Sequence, residues 1–276
     1  AGRDYLNAMT PMKAAMLMSH GFNDWNVMPE HSYRIYAKAK EMGLETAIYY
    51  HQYGHGGQPP ISMMNKWFTH YLFDYPNPEA KDVSFYLTKG APKTGSLTTS
   101  KPKKQGKETL VDDYTIIGKE LAMAENSNHR LLFVSPILTN DLHISGVPKI
   151  TVKLSSSKAA ANLSVWLVSL PWDDSKKARI TDNIITRGWA DPQNHASLRK
   201  GEPLQKGKFY NVSFDLMPDD QIIKKGQQIG LMIFSSDKEF TLHPEPGTEL
   251  TIDLDGTSLS LPIVGGLDMF SNAVKE

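Results

Sequence analysis

Near Lys81 the chain changes texture, and that change limits what it can fold into more than any other feature of its 276 residues. From Lys13 to about Pro76, strand-length apolar runs alternate with helix-length amphipathic ones, the order expected of a parallel α/β sheet. Ala14-Ala15-Met16-Leu17-Met18 is short and almost wholly apolar, as a strand covered on both faces would be. Pro29 and Glu30 open a predicted helix to about Met42. Proline suits the first turn, the carboxylate faces the positive helix end, and Gly43 stops the run. Thr46-Ala47-Ile48-Tyr49-Tyr50 is a second strand rich in β-formers. After Pro59-Pro60, the stripe of Met63, Met64, Trp67, Phe68, Tyr71 and Leu72 has helical spacing and reads as core; Tyr75-Pro76-Asn77-Pro78 ends it.

Beyond Lys81 come short β-rich runs separated by Gly, Pro, Asn and Asp: Val83 to Thr88, Leu131 to Val134, Lys149 to Leu154, Leu163 to Leu170, Phe209 to Leu216, Ile229 to Phe234 and Leu250 to Leu254. Such a series predicts a sandwich or jelly roll. The chain is therefore divided into residues 1–80, a piece of a parallel α/β domain, and residues 81–276, an all-β domain. Lys101, Lys103, Lys104 and Lys107 lie among Gly, Ser, Thr and Pro and read as a solvated loop.

Charge and cysteine content narrow the function classes. Lys+Arg and Asp+Glu are both 30, so no net charge draws the chain to nucleic acid or an anionic membrane, and neither is expected as a partner. Cysteine is absent, which removes disulfides and thiol catalysis and suits a reducing cytoplasm, the expected location. No apolar run approaches the length of a membrane span. The opening Ala1-Gly2-Arg3-Asp4-Tyr5 looks neither like an initiator nor like a signal, which leads to the expectation that the chain starts within a longer one.

Two loops carry candidate chemistry. His20-Gly21-Phe22-Asn23-Asp24-Trp25-Asn26-Val27 follows the first strand, and His51-Gln52-Tyr53-Gly54-His55-Gly56-Gly57 follows the second. Ligands of open parallel sheets bind beyond the carboxyl ends of the strands, so Asp24 and His55 are expected to face one crevice. A carboxylate that accepts the imidazole Nδ1 proton holds the ring so that Nε2 can take a proton from a nucleophile. Asp before His on consecutive strands is also the chain order of an α/β-hydrolase. The plainer reading of a lone Asp24 is a turn former or helix cap. His51 is the competing base, less free to swing than His55 in its glycine-rich loop. His20 is expected to bond buried backbone. His51 and His55 are four apart, but among glycines rather than on a helix and without a supporting carboxylate; no metal or other cofactor is expected.

These segments resemble the Xaa-Pro dipeptidyl-peptidases of lactic acid bacteria, a family of α/β-hydrolase serine peptidases related to cocaine esterase and the α-amino acid ester hydrolases. The resemblance rests on His20 to Val27, on Gly54-His55-Gly56 and on Trp67-Phe68-Thr69-His70-Tyr71-Leu72. It continues through Thr186-Arg187-Gly188-Trp189-Ala190, Leu216-Met217-Pro218 and Lys225-Gly226-Gln227-Gln228-Ile229-Gly230-Leu231. It implies the carboxy-terminal portion of an α/β-hydrolase followed by a jelly-roll (galactose-binding-like) domain. Asp24 would be the triad acid, His55 the base, and Asn26 and Val27 would lie near the pocket for the substrate proline. The implied substrate is a peptide with a penultimate proline, and the implied assembly a homodimer.

The sequence departs from the family pattern at the nucleophile. No Gly-x-Ser-x-Gly occurs; Gly256-Thr257-Ser258-Leu259-Ser260 comes nearest and ends in serine. The elbow needs both glycines because its turn is strained and its helix packs close behind. The serine is thus expected upstream, leaving the chain alone inert. Two other readings stay open: a relative acting on esters or β-lactam acyl groups, and a binding module for carbohydrate or a partner protein, with Trp166, Trp172 or Trp189 as a stacking platform.

Overall fold

In a computed structural model of the chain, residues 6–9, 12–73, 79–178, 180–243 and 246–275 are described. The chain separates into two compact units, 1–75 and 76–276, where the expected boundary fell at 80/81. The opening five residues and the predicted stop at 75–78 lie outside the described residues.

In the first unit, strand β1 (Met16–Gly21) and helix α1 (Pro29–Glu41) are followed by strand β2 (Thr46–His51). The strands run parallel, with Met16 opposite Thr46 and Gly21 opposite His51. Parallel neighbours need a crossover, and α1 provides it. Pro29 and Glu30 open α1 as expected, and Glu30 meets Arg34 one turn on at 2.8 Å. At the other end, the Leu44 N–H donates to Ala39 O and the Gly43 N–H to Lys40 O, both at 3.0 Å, while Gly43 adopts φ 73°. This pair of bonds around a left-handed residue is the glycine closure of a helix. β1 starts later than the apolar run suggested and continues through Ser19, His20 and Gly21, so the strand delivers polar residues to its carboxyl end.

Helix α2 (Ile61–Phe73) follows, but its apolar stripe is not the core that the spacing suggested. Met63, Met64, Trp67 and Tyr71 are half-buried, whereas Phe68 and Leu72 are 51% and 69% exposed. Periodicity reports which face of a helix is apolar; it cannot report whether anything covers that face.

The second unit comprises β3 (Ala80–Leu87), β4 (Gly95–Thr98), β5 (Lys107–Val111), α3 (Gly118–Met123), β6 (Arg130–Val134), β7 (Leu142–Gly146), β8 (Lys149–Ser156), β9 (Leu163–Leu170), α4 (Ile180–Asn183) and β10 (Ile184–Ala190). After these come β11 (Tyr210–Asp215), β12 (Asp219–Ile223), β13 (Gln228–Phe234), β14 (Glu249–Asp253), β15 (Ser258–Val264) and α5 (Gly266–Ala273). The strand path is β10-β9-β13-β6-β4-β3-β15-β8-β14-β5, with β11 on β8 and β12 reaching β15 through β7. Pairing is antiparallel except between β4 and β6. β4 thereby joins two groups of strands whose inward side chains share one core: Phe85, Val152 and Leu261 from one group, Phe133, Leu167 and Leu231 from the other.

β9 is buried on both faces, which explains why its sequence lacks alternation. Leu163, Val165 and Leu167 enter the main core, while Trp166 and Val168 enter a second cluster with Leu121 and Ala122 of α3. α3 lies so close over the Trp166 ring that a Cβ on Gly118 would come within 2.3 Å of it. Its last turn is held by Arg130, which is fully buried and donates to Leu121 O, Ala124 O, Ala91 O, Pro92 O and Lys93 O over 2.6–3.2 Å. A cation suits the negative end of a helix. With carbonyls as its partners, burial lowers the guanidinium to about 10.

Candidate active site

The two loops beyond β1 and β2 are held together by backbone, and that places Asp24 against His55. The Phe22 N–H donates to His51 O at 2.8 Å, the Asn23 N–H to Tyr53 O at 3.3 Å, and the Asn23 side-chain amide to Gln52 O at 2.6 Å. Gly21 makes the approach possible, since a Cβ there would lie 2.1 Å from Tyr53 O. Phe22 stacks on Tyr50 with ring centroids 4.6 Å apart, fixing the start of the first loop against the second strand. Asp24 then turns back, its N–H bonded to Gly21 O at 3.2 Å.

Asp24 is 6% exposed, and each of its oxygens has a separate task. Oδ1 accepts the N–H groups of Asn26 at 2.9 Å and Val27 at 3.0 Å. Oδ2 lies 2.9 Å from His55 Nδ1. The Val27 N–H is the strongest influence holding the carboxyl below its ordinary range; burial opposes it, and the bond to His55, the Asn26 N–H and the imidazole charge add to it. Asp24 is therefore an anion at neutral pH. Its bond fixes Nδ1 of His55 as the donor, and the ring, 62% exposed, presents Nε2 as an acceptor.

The other sequence candidates are placed as follows. Asn26 and Val27 adjoin Asp24, and their backbones are what hold it. His51 is 7% exposed; its Nδ1 accepts the Tyr53 N–H at 3.2 Å, and Nε2 is without a partner among the described residues. Its Nδ1 is thereby committed to the loop backbone, and the imidazole bonded to Asp24 Oδ2 is that of His55. His20 bonds Val27 O through Nε2 at 2.7 Å, the buried backbone contact expected of it. Ser32, which bonds His20 Nδ1, is the residue that sequence reasoning missed; a lone serine in the first turns of a helix carries no signal of its own. Among the described residues, no hydroxyl hydrogen-bonds to His55 Nε2.

In the second unit, the tryptophans considered as a stacking platform are built into the structure. Trp166 is 2% exposed, Trp172 packs against its cluster, and the indole N–H groups of Trp166 and Trp189 both donate to Asp237 Oδ2 at 2.9 Å. Among the described residues, no helix is long and apolar enough to cross a membrane.

Residues 40–266 match the family described as the X-Pro dipeptidyl-peptidase C-terminal non-catalytic domain, and residues 1–57 match X-Pro dipeptidyl-peptidase (S15 family). Asp24 and His55 both fall within the second match. The chain is 54% identical to a Rhodopirellula baltica protein provisionally named Xaa-Pro dipeptidyl-peptidase, over 96% of this chain and 47% of that protein. It is 25% identical to the Xaa-Pro dipeptidyl-peptidase of Lactobacillus delbrueckii subsp. lactis, over 94% of this chain and 42% of that one. It thus spans about half the length of the relatives it matches. Among solved structures, an aminopeptidase from a marine-sediment Thaumarchaeota archaeon superposes with a TM-score of 0.58 at 14% identity, over 94% of this chain and 57% of the other. An α-amino acid ester hydrolase superposes at 0.54, also with 14% identity and the same coverage. Likeness at that identity speaks for a hydrolase-related fold.

Proposed function

Because the chain belongs to the X-Pro dipeptidyl-peptidase family, we propose that it is the carboxy-terminal part of a serine exopeptidase that releases Xaa-Pro dipeptides from peptide amino ends, with Asp24 and His55 as acid and base of its triad. The observation that carries this reading is the 2.9 Å contact between His55 Nδ1 and Asp24 Oδ2, with Oδ1 of the same carboxylate tied by two backbone N–H groups.

The chemistry follows from that geometry. Asp24 orients the imidazole and stabilises its charged form. His55 Nε2 takes the proton of a serine hydroxyl as the oxygen attacks the proline carbonyl, then returns it to the departing amine of the next residue. Water repeats the sequence on the acyl-enzyme. The exposure of His55 is that of a base whose partner comes from another part of the protein. On this reading the serine and the oxyanion hole belong to the part of the family outside this chain, the all-β unit is a jelly roll accompanying the catalytic domain, and the chain by itself is inert.

The test is chromophore release from a Gly-Pro anilide and from a simple ester chromogen, by this chain and by the full-length protein that carries it. We expect no release by this chain, and in the full-length protein a clear preference for the anilide. Anilide hydrolysis by the 276-residue chain would reveal a nucleophile within it. A full-length protein that cleaved the ester alone would move the assignment to the ester hydrolases.

A further inference from the structure

Asp24 has a second histidine beside it. His20, 9% exposed at the end of β1, lies with Nε2 3.4 Å from Asp24 Oδ2, the same oxygen that His55 uses. Two imidazoles within reach of one carboxylate would compete for it unless one were engaged elsewhere, and His20 is engaged at both nitrogens. Nε2 is 2.7 Å from Val27 O, a carbonyl that can only accept, so Nε2 carries the proton. Nδ1 is then an acceptor, and the Ser32 hydroxyl of α1 donates a hydrogen bond to it.

From this geometry, and resting on the proposed roles of Asp24 and His55, we infer that His20 and Ser32 are positioning residues that hold the Asp24 loop and reserve Asp24 Oδ2 for His55. Val27 is the link. Its C=O is fixed by His20, and its N–H is one of the two that fix Asp24 Oδ1 and the one that most favours the ionised carboxylate. Ser32 selects the His20 tautomer in which Nε2–H points at Val27 O. A hydroxyl on α1 thus sets, through one imidazole and one peptide, the direction of the carboxylate that orients the base. The fold alone does not require this arrangement; a hydrophobic residue at position 20 would fill the same buried space without fixing the Val27 carbonyl.

The chain itself supplies the first test. Long-range proton–nitrogen correlation spectra of the ¹⁵N-histidine-labelled 276-residue chain are expected to show His20 as the Nε2–H tautomer; the Nδ1–H tautomer would overturn the inference without any variant. The second test is kinetic, in the full-length protein with the Gly-Pro anilide. His20→Ala is expected to lower kcat about ten-fold or more, a larger factor than any rise in KM, since a loop displaced by a fraction of an ångström misaligns the base that Asp24 orients. His20→Gln, whose amide N–H can reach Val27 O, is expected to restore most of the loss, and Ser32→Thr to outperform Ser32→Ala. Asp24→Asn is the reference. If it abolishes activity while His20→Ala and Ser32→Ala stay within about two-fold of the parent, the positioning role is wrong. If Asp24→Asn itself is without effect, the functional reading fails, and the tautomer alone decides whether His20 holds Val27. Should His20→Ala not fold, Ser32→Ala and the tautomer carry the decision.

Discussion

At the residue scale, buried charge distinguishes three positions. Asp24 has its carboxyl below the ordinary range chiefly because Val27 donates to it. A depressed carboxyl contributes stability above its ordinary value of 3.8 and loses it as pH falls through the lower folded value, so Asp24→Asn should flatten the acid limb of a melting-temperature profile. Asp219 is the opposite case. Burial pushes it up to about 6, with the Asp220 N–H opposing and the Asp220 charge adding, and its Oδ2 has no partner among the described residues. Its ionisation therefore costs stability as pH rises through about 6. Asp219→Asn is expected to raise stability by about 1–2 kcal/mol at pH 8, the gain shrinking below pH 5; a gain equal at both pH values would contradict this. Arg130→Met strands the carbonyls of Leu121, Ala124, Ala91, Pro92 and Lys93 and is expected to cost about 3 kcal/mol or more in denaturant unfolding. The meeting of Asp24 and His55 was legible because loops after neighbouring parallel strands emerge side by side; Arg130 and Asp219 were not, because a charge in a sequence shows nothing of its burial.

At the element scale, helix ends and close approaches were the most readable features. The Gly43 stop shows at φ 73° with both closure bonds in place, so Gly43→Ala should cost about 1 kcal/mol through strain alone. Gly118→Ala should cost more, about 1–3 kcal/mol, because α3 must lift from the Trp166 ring; loss of near-ultraviolet tryptophan signal at intact β content would locate the damage. Six strands, β4, β5, β7, β10, β12 and β15, escaped sequence reading, and for four of them the reason is physical. β15 contains Pro262, a residue that normally argues against a strand within a sheet. β12 begins Asp219-Asp220, β7 opens on an alternation of only five residues, and β4 has just four. α5 opens on a left-handed pair, Gly265 before it and Gly266 as its first residue, and its Phe270 meets Phe85 edge-on at 4.8 Å.

At the scale of the whole molecule, the change of texture near Lys81 set the expected boundary at 80/81, and the compact units divide at 75/76. The second unit has its own core, from Val83 to Ala273, so residues 76–276 produced alone should unfold in one cooperative transition. The first unit offers one parallel pair and exposed Phe22, Trp25, Phe68 and Leu72. Its stability is expected to be the lower of the two, seen as faster amide exchange in β1 and β2 than in β9 and β13. The strand path of the second unit was not legible, because pairing between strands distant in sequence leaves no local trace: β4 beside β6 and β3 beside β15 are fixed by the shared core and not by neighbouring residues. Asp24 and His55 are proposed to act as one acid–base pair, which the acylation rate of the full-length protein on a Gly-Pro substrate decides in Asp24→Asn, His55→Ala and the double variant. Losses of about a thousand-fold or more are expected in each single variant, with the double variant scarcely worse than His55→Ala. Acylation within a few-fold of the parent in either single variant would contradict it.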